Sequence, residues 1–189
     1  MASGAGKSAA FIFLFINALL YFIVIAIAGW SVNHAMEKTH ETGTFLLTII
    51  LDCLFWSCIV AASVLPIPAR IFPIYFPTGN MATGFLVIFS LIAGVAGFVT
   101  SLLGLNNVMQ WDTPNLHAAA AASLATWTLT LLAMGLACKE INIGWADSNL
   151  RALEAMLIIL SGTQLFATAA IHIGVEDVVA RDRAYGGRV

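Results

Sequence analysis

The sequence predicts an all-α integral membrane protein, a four-helix transmembrane bundle with an additional apolar helix between its first and second spans. Of its 189 residues, 60% are hydrophobic and only 10% are charged, whereas a soluble domain carries about 25% charged residues. Five apolar stretches are each long enough for a helical span, which needs about 20 residues. Because unpaired backbone amides are costly in lipid, we expect these stretches to be helical.

Aromatic residues mark the ends of the predicted spans. Trp30, Trp111 and Trp145 lie at or just beyond span ends, where amphipathic rings favour the headgroup layer. The first span is longer than the apolar core of a signal peptide, which has about 7–15 residues. We therefore predict one transmembrane domain, 1–175, with bundle spans at about 9–30, 81–105, 117–138 and 153–174, followed by a short polar tail at 176–189.

The additional apolar segment, 44–65, carries an acid, Asp52, in its central turns. An aspartate at the middle of a span costs about 2.5–3.5 kcal/mol on insertion scales, which weakens insertion without abolishing it. Whether the chain crosses the membrane four or five times, four lysines and arginines lie on each side of it. The positive-inside rule therefore does not decide between these two topologies. We expect this segment to lie in the interface or beside the bundle, with both termini on one side. A complete fifth crossing is the alternative.

Small residues recur along one face of the span at 81–105, at spacings of 4, 3, 4 and 3: Ser90, Gly94, Gly97, Ser101 and Gly104. In lipid, small side chains allow helix backbones to approach closely. The next span opens with five alanines, 118–122. We expect the small-residue seam to be a packing surface, with these two neighbouring spans tightly packed together.

Polar residues recur along one face of the last span, at spacings of 7, 3, 4 and 4: Glu154, Ser161, Gln164, Thr168 and His172. At ~100° per residue they fall within a sector of about 80°. Such a stripe should face other helices or water rather than acyl chains. It indicates either interhelical hydrogen bonds or one wall of a polar path. Asn17 and Tyr21 share a face of the first span, and we expect them to meet this stripe.

Charges gather between the last two spans, where Lys139, Arg151 and Glu154 lie near span ends. Such side chains commonly extend from a span end to water, and the alternative interpretation is an opening that attracts an anion. We find no nucleophile-and-base, metal-ligand or nucleotide-binding motif. The near-neutral net charge of −2 argues against a nucleic-acid partner. We expect a protein that is not an enzyme and has no cofactor or metal.

Six motifs occur in a recognisable order, and together the chain resembles the AWPM-19-like family of plant plasma-membrane proteins. The motifs are "AGW" at 28–30, "IYFPTGNMATGF" at 74–85, "LIAGVAG" at 91–97, "LTLLAMGLACKEI" at 129–141, "LEAMLIILSGTQL" at 153–165 and "IHIG" at 171–174. The resemblance covers roughly 11–40 and 71–175. In the family pattern a polar or mixed loop follows the first span, so the apolar stretch 44–60 is expected to fall outside that pattern.

The resemblance implies a four-span plasma-membrane protein linked to abscisic acid, seed maturation and tolerance of cold and drying, with abscisic acid uptake as its activity. The resemblance supplies no binding residue, and the candidates come from the sequence pattern alone. If the hormone passes through the bundle, we expect its path to be lined by Asn17, Tyr21, Gln164, Thr168 and His172, with Lys139, Arg151 and Glu154 at its opening. The alternative is a structural or accessory tetraspan protein that transports nothing and stabilises the membrane or a larger complex. Expected partners are the lipid bilayer, abscisic acid, and a second copy or a larger membrane complex.

Overall fold

Four long α-helices form the described part of the protein. The computed structural model describes residues 2–39, 81–144 and 148–186. Within these ranges there is no strand, and the helices are α1 Ala2–Thr39, α2 Met81–Gln110, α3 Thr113–Ile143 and α4 Ser148–Gly186. Each contains a candidate span of at least 29 residues, about 44 Å at 1.5 Å per residue. That length matches a bilayer with its headgroups, about 40–45 Å.

The predicted all-α membrane bundle is confirmed, and each of its four bundle spans lies within one helix. Within the predicted polar tail, α4 continues as a helix through 176–186. The additional apolar segment, 44–65 with Asp52, lies outside the described residues, and so does Trp145.

The helices are arranged in a ring in which each one packs against two neighbours. α1 contacts α2 and α4, and α3 contacts the same two helices from the opposite side. Neighbours are antiparallel: Lys7 at the start of α1 donates to the Met109 carbonyl near the end of α2, at 2.9 Å. Thr113 at the start of α3 similarly donates to Asp182 near the end of α4. We call this end of the bundle the Lys7 end.

The opposite end of the bundle, which we call the Glu140 end, contains the end of α1, the start of α2 and the change from α3 to α4. Thr83 at the start of α2 donates to Glu140 near the end of α3. The chain therefore leaves α1 at Thr39 and enters α2 at Met81 on the same end of the bundle. This geometry agrees with the expectation that both termini lie on one side of the membrane.

Short connections set the antiparallel order of the last three helices. Only Trp111 and Asp112 separate α2 from α3, and Trp111 adopts a left-handed φ of 52°. α3 ends at Gly144, whose φ of 77° brings its amide to the Glu140 carbonyl at 3.2 Å. A left-handed residue at this position is a common helix stop, and glycine adopts it without strain.

The apolar side chains divide between the inside and the outside of the ring. Tyr21, Leu86 and Leu157 belong to a buried cluster toward the Glu140 end, while Leu14 and Ile171 belong to one toward the Lys7 end. Large apolar side chains also cover the outer surface: Ile12, Leu19, Phe22, Leu103, Phe166 and Ile173. An outer surface of this kind is suited to contact with acyl chains and not with water.

The small-residue seam is a packing surface, as predicted, but its glycines contact α1. A Cβ added at Gly97 would lie 2.2 Å from the Tyr21 ring, and one at Gly94 would lie 2.9 Å from Ile25. Gly104 faces Leu14 of α1 in the same way, at 3.2 Å. The two neighbouring helices α2 and α3 also pack together, as expected.

The close contact between Gly97 and Tyr21 can be tested with one added methyl group. Gly97→Ala should destabilise the protein by about 1–3 kcal/mol, because the buried Tyr21 ring has to shift. Gly135→Ala is the matched control, since a Cβ there meets nothing within 4 Å. It should leave stability unchanged or raise it by up to about 1 kcal/mol. Unfolding by SDS in mixed micelles measures both, and equal losses in the two variants would contradict the packing.

The antiparallel ring predicts that both chain termini lie on the same side of the membrane. Reporter fusions at Met1 and at Val189 should therefore show the same accessibility in intact cells. Lys139 is exposed and lies at the Glu140 end, so a cysteine in its place should react with an impermeant maleimide from the opposite side. Fusions reporting opposite sides for the two termini would contradict this order of the helices.

Candidate functional site

Buried polar side chains from all four helices fill the interior of the ring. We call this set the polar core: Asn17, Thr83, Ser90, Ser101, Ser123, Thr126, Thr130, Glu140, Glu154, Ser161, Gln164 and Thr168. Polar side chains inside the membrane-spanning part of a protein are energetically costly, and they therefore often mark functional positions. The polar core is therefore the candidate functional site.

Two amides connect three helices near the middle of the polar core. Asn17 of α1 donates through Nδ2 to Oε1 of Gln164 of α4 at 2.7 Å. Gln164 Nε2 in turn donates to the Ser123 carbonyl of α3 at 3.4 Å. Both amide side chains are almost completely buried. The predicted meeting of Asn17 with the stripe on the last span is therefore present.

A second chain of hydroxyl groups connects α1, α3 and α2. The Tyr21 hydroxyl and Thr130 Oγ1 lie 2.8 Å apart, and Thr130 also donates to the Thr126 carbonyl. Thr126 Oγ1 and Thr100 Oγ1 are 2.8 Å apart. Tyr21 thus bonds to α3 and not to the stripe on α4, which corrects the sequence-based expectation.

Five polar atoms of the polar core have no hydrogen-bond partner among the described residues. They are Asn17 Oδ1, Ser101 Oγ, Thr168 Oγ1, Glu140 Oε2 and Glu154 Oε1. Buried polar groups without partners are rare, and each calls for an explanation such as a bound water or ligand. These atoms are places where a polar group of a guest molecule would find a partner inside the bundle.

His172 was predicted to line the interior, but its side chain is exposed. Its Nδ1 lies 2.8 Å from the Thr168 carbonyl of its own helix. The buried positions Glu154, Ser161 and Thr168 follow a spacing of seven, typical of packed helices that wrap around each other. A helix face predicted with 3.6 residues per turn gradually moves away from a seven-residue repeat. His172 therefore lies one residue past the buried position, which Ile171 occupies.

The charged side chains at the Glu140 end divide into an exposed group and a buried group. Lys139 and Arg151 are exposed, as expected for the predicted opening, whereas Glu154 is buried. Glu140 is completely buried and accepts a 2.5 Å hydrogen bond from Thr83 Oγ1. Glu140 was not among the site residues predicted from the sequence. The signal was available, because Thr126, Thr130 and Glu140 share the buried face of α3.

These features together define an integral membrane protein of four antiparallel helices whose polar groups face one another inside the ring. A family model described as AWPM-19-like matches residues 45–174. The chain therefore belongs to the AWPM-19-like family. "Membrane protein PM19L" from Oryza sativa subsp. japonica is 34% identical over 189 residues, covering 98% of this chain and 90% of the rice protein. No solved structure matches the chain.

The family match corrects one expectation from the sequence. It begins at residue 45 and so includes most of the additional apolar segment. The prediction that 44–60 falls outside the family pattern is therefore wrong. The match does not extend to α1, although the rice protein aligns with nearly the whole chain.

The bond between Asn17 and Gln164 can be tested by a double-mutant cycle. Asn17→Leu and Gln164→Leu should each destabilise the bundle by about 1–2 kcal/mol, because each leaves a buried amide without its partner. The double variant should lose less than the sum, by about 0.6 kcal/mol or more. SDS unfolding measures the cycle. Strict additivity would show that the two side chains are not coupled.

Proposed function

We propose that the protein facilitates the uptake of abscisic acid across the plasma membrane and does so without catalysing a reaction. One observation that supports this is that the chain belongs to the AWPM-19-like family, and the resemblance to that family implies a link to abscisic acid. The observation on which the proposal depends most is the polar core, which offers unpaired polar atoms inside an apolar bundle.

The chemistry of the hormone suits such an interior. Abscisic acid is an apolar ring system that carries a carboxyl group, so a suitable route is mostly apolar with a few polar partners. Asn17 Oδ1 and Thr168 Oγ1 are unpaired, and they can accept or exchange hydrogen bonds with that carboxyl group. Outside the bundle, the exposed Lys139 and Arg151 would attract the anionic form.

Passage through this interior requires the helices to separate. Asn17 and Gln164 lie at 0% and 1% exposure and bond to each other, so a guest must first part α1 from α4. The described helices carry no nucleotide-binding motif, and the proposed process is facilitated diffusion. The hydrogen bonds lost between the helices would be replaced by bonds to the guest.

Purified protein in liposomes tests this function directly. Uptake of labelled abscisic acid should exceed that of empty liposomes. Thr168→Val should slow the initial rate about fivefold, because it removes an unpaired hydroxyl group that would bond to the guest, an effect of about 1 kcal/mol. Ile159→Leu is the matched control on the same helix, because Ile159 is 54% exposed on the outer surface. Equal uptake by empty and protein-containing liposomes would overturn the proposal.

A second function is supported by a different observation, the close packing of α2 on α1. Glycines at 94, 97 and 104 hold these helices together, and such tight bundles suit a structural or accessory tetraspan protein. That protein would stabilise the membrane or a larger complex during dehydration or cold. A stoichiometric partner, or a second copy, after extraction in mild detergent would favour this function over transport.

A further inference from the structure

A backbone carbonyl fixes the orientation of the two buried amides. Gln164 Nε2 donates to the Ser123 carbonyl, and a carbonyl oxygen can only accept a hydrogen bond. Gln164 therefore turns its NH₂ group toward α3 and its Oε1 toward α1. Asn17 meets that Oε1 at 2.7 Å and has to do so with Nδ2. Its Oδ1 is consequently the atom left over, and it has no partner among the described residues.

The described side chains around Asn17 carry neutral amide and hydroxyl groups. Ser101 of α2 is buried between Gly97 and Gly104, the two seam glycines that contact α1 on either side of Asn17. Tyr21, one turn along α1, already has its hydroxyl bonded to α3. A guest molecule at Asn17 is therefore recognised through hydrogen bonds, and the free acceptor at Oδ1 calls for a guest that can donate one.

Separating α1 from α4 frees one donor and one further acceptor. When the bond between Asn17 and Gln164 opens, Asn17 presents Nδ2 and Oδ1 side by side, and Gln164 presents Oε1 while it stays bonded to α3. A guest between these helices then meets two acceptors and one donor. An ionised carboxylate can only accept hydrogen bonds. It would pair with Nδ2 and face two further oxygens, and burying a charge in such surroundings is costly.

We propose that the hormone crosses the polar core as the neutral carboxylic acid, paired through two hydrogen bonds with the Asn17 amide. The acid O–H donates to Oδ1, and the acid C=O accepts from Nδ2. This pair replaces the bond that Asn17 gives up to Gln164 and also fills the acceptor that lacked a partner. The inference rests on the proposed uptake function, and it adds the substrate class, undissociated apolar carboxylic acids, and the residue that selects it.

Passage of the neutral acid moves one proton with each hormone molecule. The acid leaves the polar core protonated and dissociates in the water on the far side into one proton and one carboxylate anion. The transfer is therefore electrically neutral, and its rate follows the undissociated fraction of the hormone. A pH difference across the membrane, and not the membrane potential, decides where the hormone accumulates. Lys139 and Arg151 are exposed and attract the anion to the opening, where it takes up a proton from water before it enters.

Liposomes that contain the full-length protein and a pH-sensitive dye test the charge state without any variant. The protein-dependent rate is the uptake of labelled abscisic acid above that of empty liposomes at the same pH. Once the acid is mostly ionised, this rate should fall about tenfold per pH unit. The interior should acidify as uptake proceeds, and a potassium diffusion potential set with valinomycin should leave the rate unchanged.

The outcomes separate this inference from the uptake function itself. Protein-dependent uptake that follows the membrane potential, or that stays constant as pH rises, would overturn the neutral-acid proposal and leave the uptake function in place. Absence of protein-dependent uptake at every pH would overturn both.

Substitutions of Asn17 identify the residue that pairs with the acid. Asn17→Leu removes both partners and should lower the protein-dependent rate at least about fivefold, the effect of one lost hydrogen bond. Asn17→Ser is smaller and keeps a group that donates and accepts, so it should fold and give an intermediate rate. Ile16→Leu is the matched control, because the neighbouring Ile16 is 39% exposed on the outer surface. An unchanged rate in both Asn17 variants would show that the acid does not pair with Asn17.

Discussion

The whole bundle depends on one constraint: polar side chains on helices of this length must find partners inside the ring, because the lipid outside offers none. The outer surface carries large apolar side chains, and each of the four helices places polar residues inside the ring. The helices are therefore joined by specific hydrogen bonds as well as by apolar packing. Asn17, Tyr21 and Thr83 each bond to a different helix from their own, which sets the rotation of each helix about its axis.

α1 has a central place in this network although it is the helix least covered by the family match. Its Tyr21 ring lies against the backbone of α2 at Gly97, while the hydroxyl of the same side chain reaches Thr130 of α3. One turn earlier, Asn17 bonds to α4. Two residues of α1, Asn17 and Tyr21, thus contact all three other helices. Each interhelical hydrogen bond contributes only a modest free energy. The main effect of these bonds is therefore to fix the orientation of α1 relative to the other helices.

The sequence predicted the number and position of the bundle helices because each is a long apolar stretch, and lipid leaves a chain few other structures. It also predicted that Asn17 meets the polar stripe of the last span, to which its partner Gln164 belongs. It could not show that Tyr21 turns to Thr130, because the angular position on one helix does not identify the neighbouring helix. His172 was misplaced because the buried face follows a seven-residue repeat. Glu140 was overlooked because a charge at a span end is usually solvated.

The antiparallel pairing of α1 and α2 has a consequence for how such proteins change over evolution. Thr39 and Met81 lie at the same end of the ring, so the direction of α1 and α2 does not depend on the length of the chain between them. Insertions or deletions there leave the direction of every bundle helix and every contact of the polar core in place. The turn formed by Trp111 and Asp112 cannot change its length in this way, because a longer turn would shift α3 against both of its neighbours. Variation in length among relatives should therefore collect in the first connection, while the second keeps its length.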